Sequence, residues 1–164
     1  MPETKGTLPA PDPRERRLEA ERGTLRLLIR APETFGENWN DLSPDDFTHP
    51  TYRAMFESVL TAGDGPGIWT QRVLEANPDP VLEQLVVSLA VEPVLREPTK
   101  AYAREYSSQL RVLTISRQIA DLKSKLQRTN PLEDQPAYDR KFAVLVNLEK
   151  RRKELLALAT GPAI

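Results

Sequence analysis

Apolar residues recur along most of this chain at intervals of three and four. That spacing gathers them on one face of a helix, and no segment shows the alternation of a strand. Leu18, Leu25, Leu28 and Ile29 mark a first helix. Asp12-Pro13 reads as its start, with a carboxylate at the N-cap and proline at the first helical position. Pro32 stops it near Ala31, and Gly23 is expected to weaken it locally. Phe35, Trp39 and Leu42 are packing anchors in the connection that follows. Ser43-Pro44-Asp45-Asp46 reads as the capped start of a short helix. A new stripe of Tyr52, Met55, Phe56, Val59 and Leu60 begins near Pro50. A brief helix surrounds Trp69 and Val73, and Asp79-Pro80 opens another with Leu82, Leu85, Val86 and Leu89. One long helix, roughly 45 Å at 1.5 Å per residue, is predicted from about Pro98 to Arg128. The last runs from about Pro136 to Ala159, closed by Gly161-Pro162. The fold class is all-α: a multi-helix bundle followed by a long helix and a C-terminal αα-hairpin.

The long helix carries two stripes. At about 100° per residue, Tyr102, Tyr106, Leu110 and Leu113 cluster on one side. Val112, Ile115, Ile119, Leu122 and Leu126 lie nearly opposite. One partner layer does not cover both, so the first half is assigned to the upstream bundle and the second to the final helix, with a bend or break expected near Thr114. On the final helix Tyr138, Phe142, Leu145, Glu149 and Arg152 form the matching seam, with Leu148 beside it. The organisation expected is a flexible tail over residues 1–12, a bundle over 13–113 and a hairpin over 114–164.

The final helix is more apolar than a hairpin requires. With Val144, Val146, Leu155 and Leu158 included, its apolar residues spread over about 240°, where one packed stripe needs little more than ~100°. Either the hairpin folds back on the bundle, or another molecule, a helical partner or a second copy, covers the excess. The candidate partner-binding residues are Tyr138, Phe142, Val144, Val146, Arg151, Leu155 and Leu158.

Composition narrows the chemistry. The chain has 164 residues, 23 basic and 24 acidic side chains, one histidine and no cysteine. Near-neutral charge argues against a strong nucleic-acid groove, and no apolar run is long enough to span a bilayer. Without cysteine or a second histidine, no metal site, thiol nucleophile or cofactor is expected, and no catalytic set emerges. His49, beside Pro50, reads as a helix-start residue whose ring packs or caps backbone. Asp41, Asp45 and Asp46 read as caps rather than a metal cluster, and Lys150 to Lys153 as a solvated face paired with Glu149 and Glu154. Trp39 and Trp69 read as packing anchors rather than base-stacking platforms.

The segments "LRLLIRAPETF" and "LSPDDFTHPTYRAMFESVL" contain Leu27, Leu28, Pro32, Phe47, His49, Pro50, Tyr52 and Phe56. With the helix order downstream, this pattern resembles the C-terminal helicase-binding region of bacterial DNA primases (DnaG type), from about Arg14 to Thr160. The resemblance implies a fold shared with the N-terminal domain of the replicative helicase (DnaB type). It also implies a bundle that modulates the hexameric helicase and a hairpin that attaches to it, so that RNA primers are laid down on freshly unwound lagging strand. The zinc-binding and catalytic domains of such a primase are absent from this sequence, so a non-catalytic fragment of a longer cytoplasmic protein is expected. Two alternatives stand beside it: the helicase's own N-terminal domain, and a small helical nucleic-acid-binding protein.

Overall fold

A computed structural model describes residues 8–35, 41–63 and 67–160. Six α-helices lie among them: α1 Glu19–Arg30, α2 Pro50–Ala62, α3 Trp69–Ala76, α4 Pro80–Val91, α5 Lys100–Gln127 and α6 Gln135–Ala159. Short 3-10 turns occupy Arg16–Leu18, Pro32–Thr34 and Pro44–Asp46. Trp39 and Gly161-Pro162 fall outside the described residues.

Local chemistry starts four of these helices. His49 Nδ1 accepts from Thr51 N at 3.1 Å, Asp79 Oδ1 from Val81 N at 2.8 Å, Thr99 Oγ1 from Tyr102 N at 3.1 Å and Asp134 Oδ1 from Ala137 N at 3.1 Å. Each satisfies a backbone donor that the helix itself leaves open. His49 is therefore a cap, and its ring lies 5.1 Å from that of Tyr52. Burial holds its imidazole below the ordinary value of 6.5, in keeping with a neutral ring that accepts through Nδ1. Gly63 ends α2 at φ 46°, a left-handed conformation that suits glycine.

Helices α1 to α4 and the first half of α5 enclose one core. Leu25, Leu28, Phe35, Phe47, Tyr52, Met55, Phe56, Val59, Leu82, Leu89 and Leu110 are buried in it. The Phe47 and Phe56 rings stack at 4.8 Å, and Trp69 Nε1 donates to Leu28 O at 3.0 Å across α3 and α1. Arg22, almost fully buried on α1, donates to Tyr52 Oη at 2.9 Å and doubly to the Glu92 carboxylate after α4. Arg26 also donates to Glu92, at 2.9 Å and 3.1 Å. Paired in this way, a buried guanidinium is tolerable; unpaired, it is costly.

Several expectations are corrected. Helix α1 begins at Glu19, not at Pro13, because Asp12 closes a local turn onto Arg14 N at 2.9 Å instead of capping a helix. Part of the expected tail is held: Leu8 packs on the core and Pro9 O accepts from Thr51 Oγ1. Leu60 and Leu113 are exposed and belong to neither stripe. At Gly23 α1 runs unbroken, and the Tyr106 ring of α5 lies against its backbone. The 28 residues of α5 form one unbroken helix through Thr114. There Thr114 Oγ1 lies 2.5 Å from Asp46 Oδ1, while Asp46 Oδ2 accepts from Ser43 N at 2.9 Å. The change of face along α5 is thus achieved by different neighbours along one unbroken element.

Candidate partner-binding site on the helical hairpin

The second half of α5 and α6 run antiparallel and share a small core of Ile115, Ile119, Leu145 and Leu155. Val112, Leu122, Leu126 and Leu148 pack against it partly buried. The seam on α6 runs Tyr138, Lys141, Leu145, Leu148, Arg152, Leu155, Ala159, a regular alternation of three and four. This corrects the expected seam at two places. Lys141, not Phe142, faces α5: its ammonium donates to Thr129 Oγ1 at 3.2 Å near the hairpin turn. Phe142 turns outward and is 51% exposed. Glu149 is also outside the seam and pairs with Lys123 of α5 at 3.5 Å.

Of the seven candidate residues, four present apolar surface to solvent: Phe142, Val144, Val146 and Leu158. Tyr138 is half-buried. Leu155 is 2% exposed and holds the hairpin together, so it supplies no free surface; the seam reaches one turn further toward the C-terminus than its sequence pattern suggested. Arg151 is exposed and pairs with Glu154 of its own helix at 3.2 Å. The helical repeat puts Val144, Arg151 and Leu158 on one flank of α6 and Phe142 and Val146 on the other.

The end of α6 lies beside the bundle half of α5, where Gln109 Nε2 donates to Ala159 O at 3.4 Å. A groove opens on either side. One, about 460 Å³, lies between the start of α1, α5 and α6, over Ala20, Tyr106, Val112, Leu113 and Leu156. The other, about 210 Å³, joins Arg151, Leu155 and Leu158 of α6 to Arg104, Ser107, Ser108 and Arg111 of α5, with Asp41 at its edge. Arg104 and Arg111 were missed in the sequence because the chain's total charge is near zero. No charge signal marked them: both lie in residues 1–113, which carry thirteen basic and eighteen acidic side chains. Among the described residues, no cluster of three or more histidine, cysteine or acidic side chains suits a metal ion, and no helix is long and apolar enough to cross a membrane.

Fold and surface define a class of protein: an all-α module in which one continuous helix joins a bundle to a hairpin with uncovered apolar flanks. Comparison with known proteins gives the family. The family model described as "DNA primase DnaG DnaB-binding" matches residues 21–140, and the chain belongs to that family. It is 35% identical over 159 residues to a DNA primase of Mycolicibacterium smegmatis, covering 92% of this chain and 25% of that protein. A DNA primase of Mycobacterium tuberculosis is 33% identical over 158 residues, with the same coverage. The chain thus spans about a quarter of the length of these curated relatives. Among solved structures, the helicase-binding domain of primase from Mycobacterium tuberculosis superimposes with a TM-score of 0.73 at 30% identity, covering 87% of this chain and 93% of that one.

Proposed function

We propose that this chain is the helicase-binding part of a DNA primase, and that it attaches the primase to the hexameric replicative helicase. The observation that carries the reading is the correspondence with a helicase-binding domain over 93% of that domain's length, bundle and hairpin together. The uncovered apolar residues Phe142, Val144, Val146 and Leu158 supply surface for such a contact. Primer synthesis, a nucleotidyl transfer, belongs in this reading to the rest of the primase, and the part described here binds without catalysing. Bundle and hairpin act as two subdomains in the cytoplasm, the hairpin attaching and the bundle modulating the helicase. The test is size-exclusion chromatography of this chain mixed with the replicative helicase of the same organism. Co-elution is expected; separate elution at micromolar concentrations of both refutes the reading.

A further inference from the structure

The two flanks of α6 differ in what surrounds them. Phe142 and Val146 stand on an open helix surface. Leu158 instead edges the groove shared with α5, in which Arg104 and Arg111 stand seven residues apart on α5 and Arg151 faces them from α6. Among the described residues, neither Arg104 nor Arg111 has a carboxylate within ion-pair distance, although the chain carries 24 acidic side chains. Arg22, Arg26 and Arg96 of the bundle, by contrast, are ion-paired. Two unpaired guanidinium groups beside an apolar edge are suited to a surface that brings carboxylates flanking an apolar side chain.

We propose that this groove receives a carboxylate-bearing, apolar-faced helix of the helicase, with Arg104 and Arg111 pairing its acids and Leu158 meeting its apolar residue. This rests on the helicase-binding reading above and adds the place and chemistry of the contact. A helix laid between two antiparallel helices buries its apolar side in the furrow and leaves its acids at the rim. A nucleic-acid strand fits less well. Among the described residues the groove's lining offers no aromatic face for a base to stack on, Asp41 stands at its edge, and the chain as a whole carries a net charge of −1.

The test uses the whole chain and the replicative helicase, with affinity measured by fluorescence anisotropy at low and at physiological salt. The double substitution Arg104→Glu, Arg111→Glu is expected to weaken binding by at least about tenfold and to flatten its salt dependence. Val87→Ala, on the exposed side of α4, should change affinity less than about threefold. A thermal melt of the double variant checks that it folds. Should it not, Arg104→Gln, Arg111→Gln replaces it, with the same direction expected. If the unaltered chain does not bind the helicase, the functional reading fails and the groove assignment falls with it. Helicase binding that survives in a folded double variant overturns the groove assignment alone. So does sedimentation showing that the unaltered chain is a dimer and the double variant a monomer. So does loss of binding to a single-stranded DNA oligonucleotide with helicase affinity unchanged.

Discussion

Gly23→Ala offers a stability test whose sign depends on one distant side chain. In a helix interior this substitution alone stabilises by about 1 kcal/mol, because alanine loses less backbone freedom on folding. Here a Cβ at position 23 would stand 2.1 Å from Cε1 of Tyr106 and 2.8 Å from Cδ1 and Cζ. Carbon atoms rest about 3.5–4.0 Å apart, so the ring must move by well over an ångström. That movement disturbs its edge-on contact with Tyr102, whose ring lies 5.2 Å away at 83°, a pairing worth about 0.5–1.5 kcal/mol. Overpacking of this kind adds a cost of about 1–3 kcal/mol. The net expectation is a loss of roughly 1–2 kcal/mol for Gly23→Ala in the unaltered chain. In a Tyr106→Ala background the obstruction is gone, and the same change should stabilise by about 1 kcal/mol. The coupling is thus roughly 2–3 kcal/mol and is read from a double-mutant cycle in urea, followed by circular dichroism. Equal effects of Gly23→Ala in the two backgrounds would refute the close packing of α1 on α5.

The other predictions concern the seam, the buried ion pairs and the histidine cap. Phe142→Ala should cost no more than about 1 kcal/mol, because half of the ring is already in water. Leu145→Ala should cost about 2–5 kcal/mol, and urea midpoints that reverse this order would restore Phe142 to the seam. Glu92→Ala leaves the buried Arg22 without its counter-ion and should cost about 3–5 kcal/mol by the same assay. Burial alone would raise the Glu92 pKa, but hydrogen bonds from Arg22 and Arg26 prevail and hold it below 4.5. Its stabilising effect is therefore full above 4.5 and is lost as pH falls through the lowered folded-state value, so acid titration of Glu92→Gln should show a shallower decline than the unaltered chain. His49, held below 6.5 by burial, favours the folded state fully above 6.5 and loses that effect as pH falls toward its folded-state value. His49→Asn keeps a capping acceptor and should remove this slope from thermal melts while leaving helicase affinity unchanged.

What the sequence disclosed was what neighbours in the chain decide. The caps at Asp79 and the stripe of Leu82, Leu85, Val86 and Leu89 lie within eleven residues, and all four apolar side chains are buried in the structure. The two stripes of α5 were readable for the same reason, since a period of 3.6 needs no knowledge of the partner. What escaped were contacts between distant positions. The tolerance for a glycine at 23 depends on a ring 83 positions away, and the role of Asp46 beyond capping depends on Thr114, 68 positions on. The hairpin register failed at two choices between adjacent residues, Phe142 for Lys141 and Glu149 for Leu148. A count of hydrophobicity selects Phe142. The structure selects Lys141, whose stem can lie along the seam while its ammonium reaches Thr129 at the turn.

That one-residue difference changes what the surplus of apolar surface means. With Phe142 in the seam, the excess would have been a single face. With Phe142 outside, the exposed residues fall on two flanks, Phe142, Val146 and Leu156 on one and Val144 with Leu158 on the other, nearly opposite each other around α6. One straight partner helix does not cover both. The flank bearing Val144 and Leu158 is continuous with the arginines of α5 and with the bundle, because α6 reaches back past the hairpin core to the level of Gln109. A partner seated there touches both halves of the molecule at once and meets the arginines of α5; the other flank leads at its C-terminal end to the groove over Ala20, Tyr106 and Leu156. Because α5 is unbroken and Thr114 is tied to Asp46 at the junction, that groove has walls already in place before a partner arrives. Pre-formed walls lower the ordering cost of association, and Arg104 and Arg111 give this flank charge partners that Phe142 and Val146 do not offer.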